Sequence, residues 1–156
     1  MPKINIIVVG RTRSPFLKEG ESFYLERLKR YAQTEWVEVR PAAIKKGRST
    51  QGILATEGDV ICKRLDPRDH IIALDRSGKV YDSVGLARRI EQLSLASKGL
   101  AFVTGGPLGL SKEIMAGAHE ILSLSRLTLT HEMTRLLLLE QLYRAFTIIR
   151  GEKYHK

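Results

Sequence analysis

Several things are scarce in this chain, and each scarcity closes a route. Its 156 residues hold one cysteine, Cys62, so no internal disulfide framework can form and a reducing compartment fits. Cys62 falls in a helical-looking stretch and reads as a small buried hydrophobe rather than a nucleophile. The four histidines show no ligand spacing. His131-Glu132-Met133-Thr134-Arg135 opens like a metalloprotease helix but carries arginine where the second ligand belongs, so no metal is expected. No apolar run approaches membrane-spanning length, and the opening residues are too few and too strand-like for a signal peptide. A cytoplasmic location without a membrane partner is expected. The usual nucleotide fingerprints are missing too. Gly105-Gly106-Pro107-Leu108-Gly109 lacks the Gly-x-Gly-x-x-Gly spacing, Pro107 removes an amide, and no Gly-Lys-Ser/Thr follows.

Acid is also in short supply. Twenty-six Lys and Arg against seventeen Asp and Glu give +9 and a pI near 9.9. Such a balance points to an anionic partner, nucleic acid first and an acidic membrane surface second, unless the basic face serves only solubility. The length suits one domain and suffices to hide roughly two-thirds of the unfolded surface.

Strand-like and helix-like segments alternate. Strands are expected at 4–9, 36–39, 70–75, 99–104 and 120–124. Helices are expected at 14–32 (with Gly20 weakening its start), 49–64, 82–96, a short one from Ser111, and 131–150. Residues 66–69 and 76–79 read as turns. This alternation indicates an α/β fold with a mainly parallel sheet and helices on both faces. In the last helix four consecutive leucines, 136–139, point in almost every direction, so it cannot be a one-sided surface helix. With few neighbours left at the end of the chain, a second subunit is the expected cover. His131 is read as helping to start this helix, with Thr130 as its cap.

Three segments carry the chemistry. A buried-looking strand runs into a loop with three glycines in five positions, which needs a sharp turn or a close backbone approach. What remains after the failed fingerprints is a backbone-lined pocket for a ligand without a heavy phosphate load, or a tight turn with no ligand. Some twenty residues on comes the unusual segment 124–130. The tail 150–156 would by default be frayed. It nevertheless holds Tyr154, which can stack on a base, His155, which can exchange protons, and Lys153 and Lys156, which can meet phosphates.

Ala73-Leu74-Asp75, the glycine loop through Ser111, 122–128, His131 with Arg135, Glu140 with Tyr143-Arg144-Ala145, and Tyr154-His155-Lys156 recur here in a distinctive order. On these the chain resembles the RlmH-type pseudouridine methyltransferases of large-subunit ribosomal RNA, within the SPOUT class, over its full length. The resemblance implies a single domain, residues 1–156, with a C-terminal trefoil knot, acting as a homodimer. It implies S-adenosyl-L-methionine as methyl donor and N3 of a pseudouridine in 23S ribosomal RNA, on the assembled ribosome, as acceptor. It places the cofactor against Leu74, Gly105, Gly106 and Leu124, Ser125, Arg126, Leu127, Thr128, Leu129 and Thr130. His155 and Tyr154 become candidates for handling or positioning the N3 proton, and Arg144 and Lys156 for orienting the base and its phosphate. The tail would complete the partner subunit's site. Arg11, Arg13, Lys45, Lys46, Arg48, Lys153 and Lys156 are the expected RNA contacts. The competing reading is a non-catalytic ribosome-binding protein that retains the fold.

Overall fold

A computed structural model describes residues 1–156. In chain order the elements are β1 (Lys3–Val9), α1 (Pro15–Leu28), β2 (Gln33–Val39), α2 (Thr50–Cys62) and β3 (His70–Val80). There follow α3 (Ser83–Ala96), β4 (Leu100–Val103), α4 (Lys112–Gly117), β5 (Glu120–Ser123) and α5 (His131–Ile149). The five strands form one parallel sheet in the order β2-β1-β4-β3-β5. Strand β1 sends Ile4, Ile6 and Val8 to one face and Ile7 and Val9 to the other, and all five are buried. Both faces are covered, which is why β1 reads as a continuous apolar run. The larger core lies under α1, α3 and α5 and holds Leu28, Leu86, Ile90, Phe102, Leu138 and Leu142. The smaller core, under α2 and α4, holds Val37, Val39, Ile61, Val103 and Ile114.

The helix starts follow local chemistry. Ser49, Asp82, Ser111 and Thr130 each accept the amide three residues ahead. Helix α1 differs. Ser14 stands at its N-cap with Pro15 next, yet its hydroxyl makes no cap bond. Glu132 of α5 instead accepts the Arg13 and Ser14 amides, each at 3.1 Å. Gly20, which the sequence marks as a weak point, is a contact point: a Cβ there would lie 2.9 Å from Leu136 Cδ1.

Three expectations are corrected. Helix α1 stops at Leu28, because the chain tightens there to bury Tyr31 and Ala32. Strand β3 does not end at Asp75. It bulges through Asp75–Gly78, where Asp75 accepts the Ser77 amide, and then resumes pairing with β5 at Lys79 and Val80. Cys62 is exposed, not buried: it ends α2 about 100° round the helix from the buried Ile61.

Helix α5 finds its neighbours inside the chain. It packs against both α1 and α3, and Leu138, Leu139 and Leu142 are completely buried. Leu136 and Leu137 stay half-buried. No helix is long and apolar enough to cross a membrane.

Gly78 sets the spacing of the bulge. A Cβ there would sit 2.5 Å from the Ile121 carbonyl oxygen, a backbone atom that cannot step aside alone. Gly78→Ala is expected to destabilise the fold by about 1–3 kcal/mol, as overpacking does. Urea unfolding checks this, and an unchanged midpoint would contradict it.

Candidate active site

Parallel sheets place their loops at the carboxyl ends of the strands, where ligands of open α/β folds gather. Here the ends of β3, β4 and β5 surround a cleft of about 290 Å³. One wall is the glycine loop after β4. Gly106 and Gly109 pair across it, with the Gly109 amide 3.1 Å from the Gly106 carbonyl, and Gly109 has φ of +88°. A Cβ on Gly105 would overlap the Gly109 carbonyl, so the loop closes only with glycine at that position. The opposite wall is 124–130. It is shaped by local bonds, Ser123 Oγ to the Ser125 carbonyl at 2.9 Å and the Leu127 amide to Ser125 Oγ at 3.0 Å. Arg126 Nη1 donates to the Arg76 carbonyl at 2.6 Å and Arg76 Nη1 to Thr128 Oγ1 at 3.4 Å, joining this wall to the β3 bulge.

Eight of the ten residues expected to hold the cofactor line this cleft: Leu74, Gly105, Gly106, Leu124, Ser125, Leu127, Thr128 and Leu129. Arg126 and Thr130 act from behind, one bracing the bulge and the other capping α5. Sequence reasoning gave no site role to Thr104, Arg76 or Thr134, and quoted Asp75 only as part of a motif; all four are on the lining. Thr104 carries a buried hydroxyl with no partner. Leu108 and Leu127 stand exposed at the mouth.

A second cleft, about 750 Å³, opens beyond the ends of β1 and β2. Arg11, Arg13 and Arg40 line it, and none is held in an ion pair. Two of its three carboxylates are occupied, Glu132 by the Arg13 and Ser14 amides and Glu57 by the Ala42 amide at 3.0 Å, whereas Glu38 stands exposed. Burial pushes the Glu57 carboxyl above its ordinary range despite that bond. Lys45 and Lys46 stand exposed on the following loop, whereas Arg48 donates to the Ala43 carbonyl of that loop and to Thr56 Oγ1 of α2. The two clefts share Pro107 and His131.

Behind His131 lies Arg135, the largest fully buried side chain of the protein. Its guanidinium donates to the Val9 carbonyl at 2.5 Å and to Thr12 Oγ1 at 3.0 Å, while Thr12 donates to Glu21 at 2.7 Å. The His131 ring has no hydrogen-bond partner, and Glu132 Oε2 lies 4.0 Å from its Nε2. Burial lowers the pKa of His131, the Arg135 charge lowers it further, and Glu132 opposes both.

The tail is docked rather than frayed. Gly151, at φ +67°, turns the chain off the end of α5, and the Glu152 amide bonds the Thr147 carbonyl. Tyr31 donates to Glu152 at 2.6 Å, and burial with that carboxylate pushes the Tyr31 hydroxyl up to about 12. Tyr154 packs edge-on against Tyr143 at 4.7 Å, beneath the Arg144 guanidinium, and donates to Glu140 at 3.2 Å. Burial, the Tyr24 hydroxyl and Glu140 raise its pKa, so it stays protonated. Arg144 grips Glu140 and lies 3.2 Å from His155 Nδ1. A guanidinium only donates, so Nδ1 accepts and Nε2 carries the proton. Arg144, Tyr154 and His155 therefore come together as a donor-rich group, suited to positioning. At 1.5 Å per residue Arg144 lies about 20 Å along α5 from His131 at the cleft, and Glu140, which Tyr154 bonds, about 13 Å. Lys153 and Lys156 are exposed beside them.

A family model described as predicted SPOUT methyltransferase matches residues 2–155. "Ribosomal RNA large subunit methyltransferase H" of Halothermothrix orenii is 40% identical over 158 residues, covering 99% of both chains. The Bacillus pumilus protein of that name is 42% identical over 157 residues, 98% of this chain and 99% of its own. Among solved structures, a probable methyltransferase from Bordetella pertussis Tohama I superposes with a TM-score of 0.54 at 16% identity, covering 93% of this chain and 96% of its own. That likeness is one of fold.

Glu57 gives a pH-dependent test of the second cleft. A carboxyl raised above its ordinary 4.5 contributes most to stability while protonated, and that contribution is lost as pH rises through the raised value. Glu57→Gln keeps an acceptor for the Ala42 amide but cannot ionise. Relative to the wild type it is expected to gain stability from pH 4 to pH 8, as read by urea unfolding at both. A difference independent of pH would contradict the burial account.

Proposed function

The chain belongs to the SPOUT methyltransferase family, and from that premise we propose that it methylates 23S ribosomal RNA, with S-adenosyl-L-methionine as donor and N3 of a pseudouridine as acceptor. The observation that carries this reading is the cleft at the ends of β3, β4 and β5, supported by relatives of matching length named for ribosomal RNA methylation. Its walls suit the donor. The side chains of Leu74, Leu122, Leu124 and Leu129 offer an apolar bed for adenine and a thioether. The glycine loop offers main-chain polar groups, and Thr104 brings an unpartnered hydroxyl. Pro107 and the tight Gly106–Gly109 closure leave no phosphate cradle, and this donor has no phosphate.

When bound, the donor supplies a methyl group already activated by positive sulfur, so the chain's own task is to bind, orient and exclude water. We assign the positioning of the acceptor base to Tyr154, His155 and Arg144, with the His155 Nε2–H as a donor to a base carbonyl. Because this group lies a helix length from its own cleft, it serves the cleft of a second subunit in a homodimer. The exposed Phe16 and the half-buried Leu136 and Leu137 are the apolar surface available for that contact. The whole chain acts as one methyltransferase domain, with residues 150–156 completing the partner's site. A trefoil knot in its C-terminal part accounts for a path in which α5 leaves the edge strand β5 yet lies between α1 and α3. Selectivity rests on the site and on the presentation of the target by the assembled ribosome. The cytoplasm is the matching location.

Labelled methyl transfer to ribosomes from cells lacking this protein, followed by mapping of the nucleotide, tests the reaction. Mixing a subunit lacking residues 150–156 with one altered in the cofactor cleft, for example Gly105→Val, is expected to restore activity in heterodimers. Inactivity of well-formed heterodimers would argue against a shared site. Ribosome binding is expected to weaken steeply with salt, and Arg13→Ala to reduce the log–log salt slope by about one. A flat salt response would remove the phosphate contacts.

A further inference from the structure

The tail group leaves one chemical task without an agent. N3 of the acceptor carries a proton that must leave as the methyl group arrives. Tyr154 holds its own proton, and the His155 Nδ1 is taken by Arg144. Neither offers a free basic atom. Elsewhere the structure holds one imidazole that borders both clefts, belongs to neither set of internal hydrogen bonds, and stays accessible, its side chain being 26% exposed. That residue is His131.

We infer that His131 accepts the N3 proton from an acceptor base entering through the arginine-lined second cleft. The inference rests on the methyltransferase reading and deepens it. The second cleft is where a nucleotide's charge is best met: Arg11, Arg13 and Arg40 are unpaired, Glu57 and Glu132 are tied to backbone amides, and the exposed Glu38 is outnumbered by the arginines. The two clefts meet at Pro107 and His131, so a base whose phosphate rests on these arginines can reach the first cleft past that imidazole. In the step itself, the N3 lone pair forms the new bond to the methyl carbon and the methyl–sulfur bond breaks, its electron pair staying on sulfur. The N3–H bond breaks and the proton passes to a ring nitrogen of His131, which becomes imidazolium and later releases it to water.

The surroundings keep this imidazole ready. Its pKa is lowered by burial and then by Arg135, so the ring is unprotonated and able to accept at neutral pH. Glu132 works against that shift yet steadies the imidazolium once formed. Asp75 and Arg76 share the first cleft with it, and Arg11, Arg13, Arg40, Glu38 and Glu57 share the second. Arg135 holds the first turn of α5 in place beneath it.

Single-turnover transfer with His131→Asn, on ribosomes from cells lacking the protein, is expected to slow by about 100-fold or more, the usual weight of a general base. Donor affinity by calorimetry should stay within about threefold, as expected for a group that acts on the proton. The wild-type rate should fall on acidification below pH 6.5, whereas the residual rate of the variant should climb steadily with pH. Added imidazole should raise the rate of His131→Ala. Nitrogen-15 titration of the free protein should place the His131 transition below 6.5. The thermal midpoint reports whether each variant folds, and His131→Gln replaces Asn if it does not. A variant within about threefold of wild type, a loss matched wholly by weaker donor binding, or an unchanged pH profile would overturn the inference. Transfer by the wild type with an unimpaired variant sinks this inference alone, whereas no transfer by the wild type sinks the parent reading as well.

Discussion

A single guanidinium, that of Arg135, holds the site in register. A buried cation is tolerated only where hydrogen bonds and nearby negative charge replace water. Arg135 meets that demand by reaching the last carbonyl of β1, the Thr12 hydroxyl and, through it, the field of Glu21. These partners come from the far end of the sequence, so the bond fixes the start of α5 against the carboxyl edge of the sheet. His131 sits one turn before Arg135 on the same helix and Glu132 beside it. The first borders both clefts, and the second accepts the amides at the start of α1. Burial of Arg135 costs solvation, which these hydrogen bonds offset although its Nε stays without a partner.

Much of the frame was legible in residue order. Continuous apolar runs announced parallel strands, and Ser49, Asp82, Ser111 and Thr130 announced helix starts through their own side chains. Where the reading failed, the deciding partner was distant. Cys62 depends on which side of α2 faces the sheet. The return of β3 after Asp75 depends on Gly78 lying against Ile121. The ordered tail depends on Tyr31 and Glu140, remote in sequence but adjacent in space. Eight of the ten positions expected to hold a cofactor line the first cleft, because a loop packed with glycine and a contiguous segment after β5 are local features.

The charge balance acquires a location as well. An excess of nine positive charges need not cluster. Here unpaired arginines gather around the second cleft, while Arg68, Arg89 and Arg144 are consumed in pairs with Asp66, Glu120 and Glu140. The basic residues thus divide into those that brace the fold and those left for an anionic partner.

The closed glycine loop has a further consequence. Because Gly106 and Gly109 bond through their main chains and Leu108 projects outward, replacing the side chain at 108 alters the rim and leaves the wall intact. Ligand discrimination in this half of the cleft is written in loop length and backbone torsion. Drift by point substitution can retune the entrance, but a change of cofactor would require an insertion or deletion that breaks the bridge.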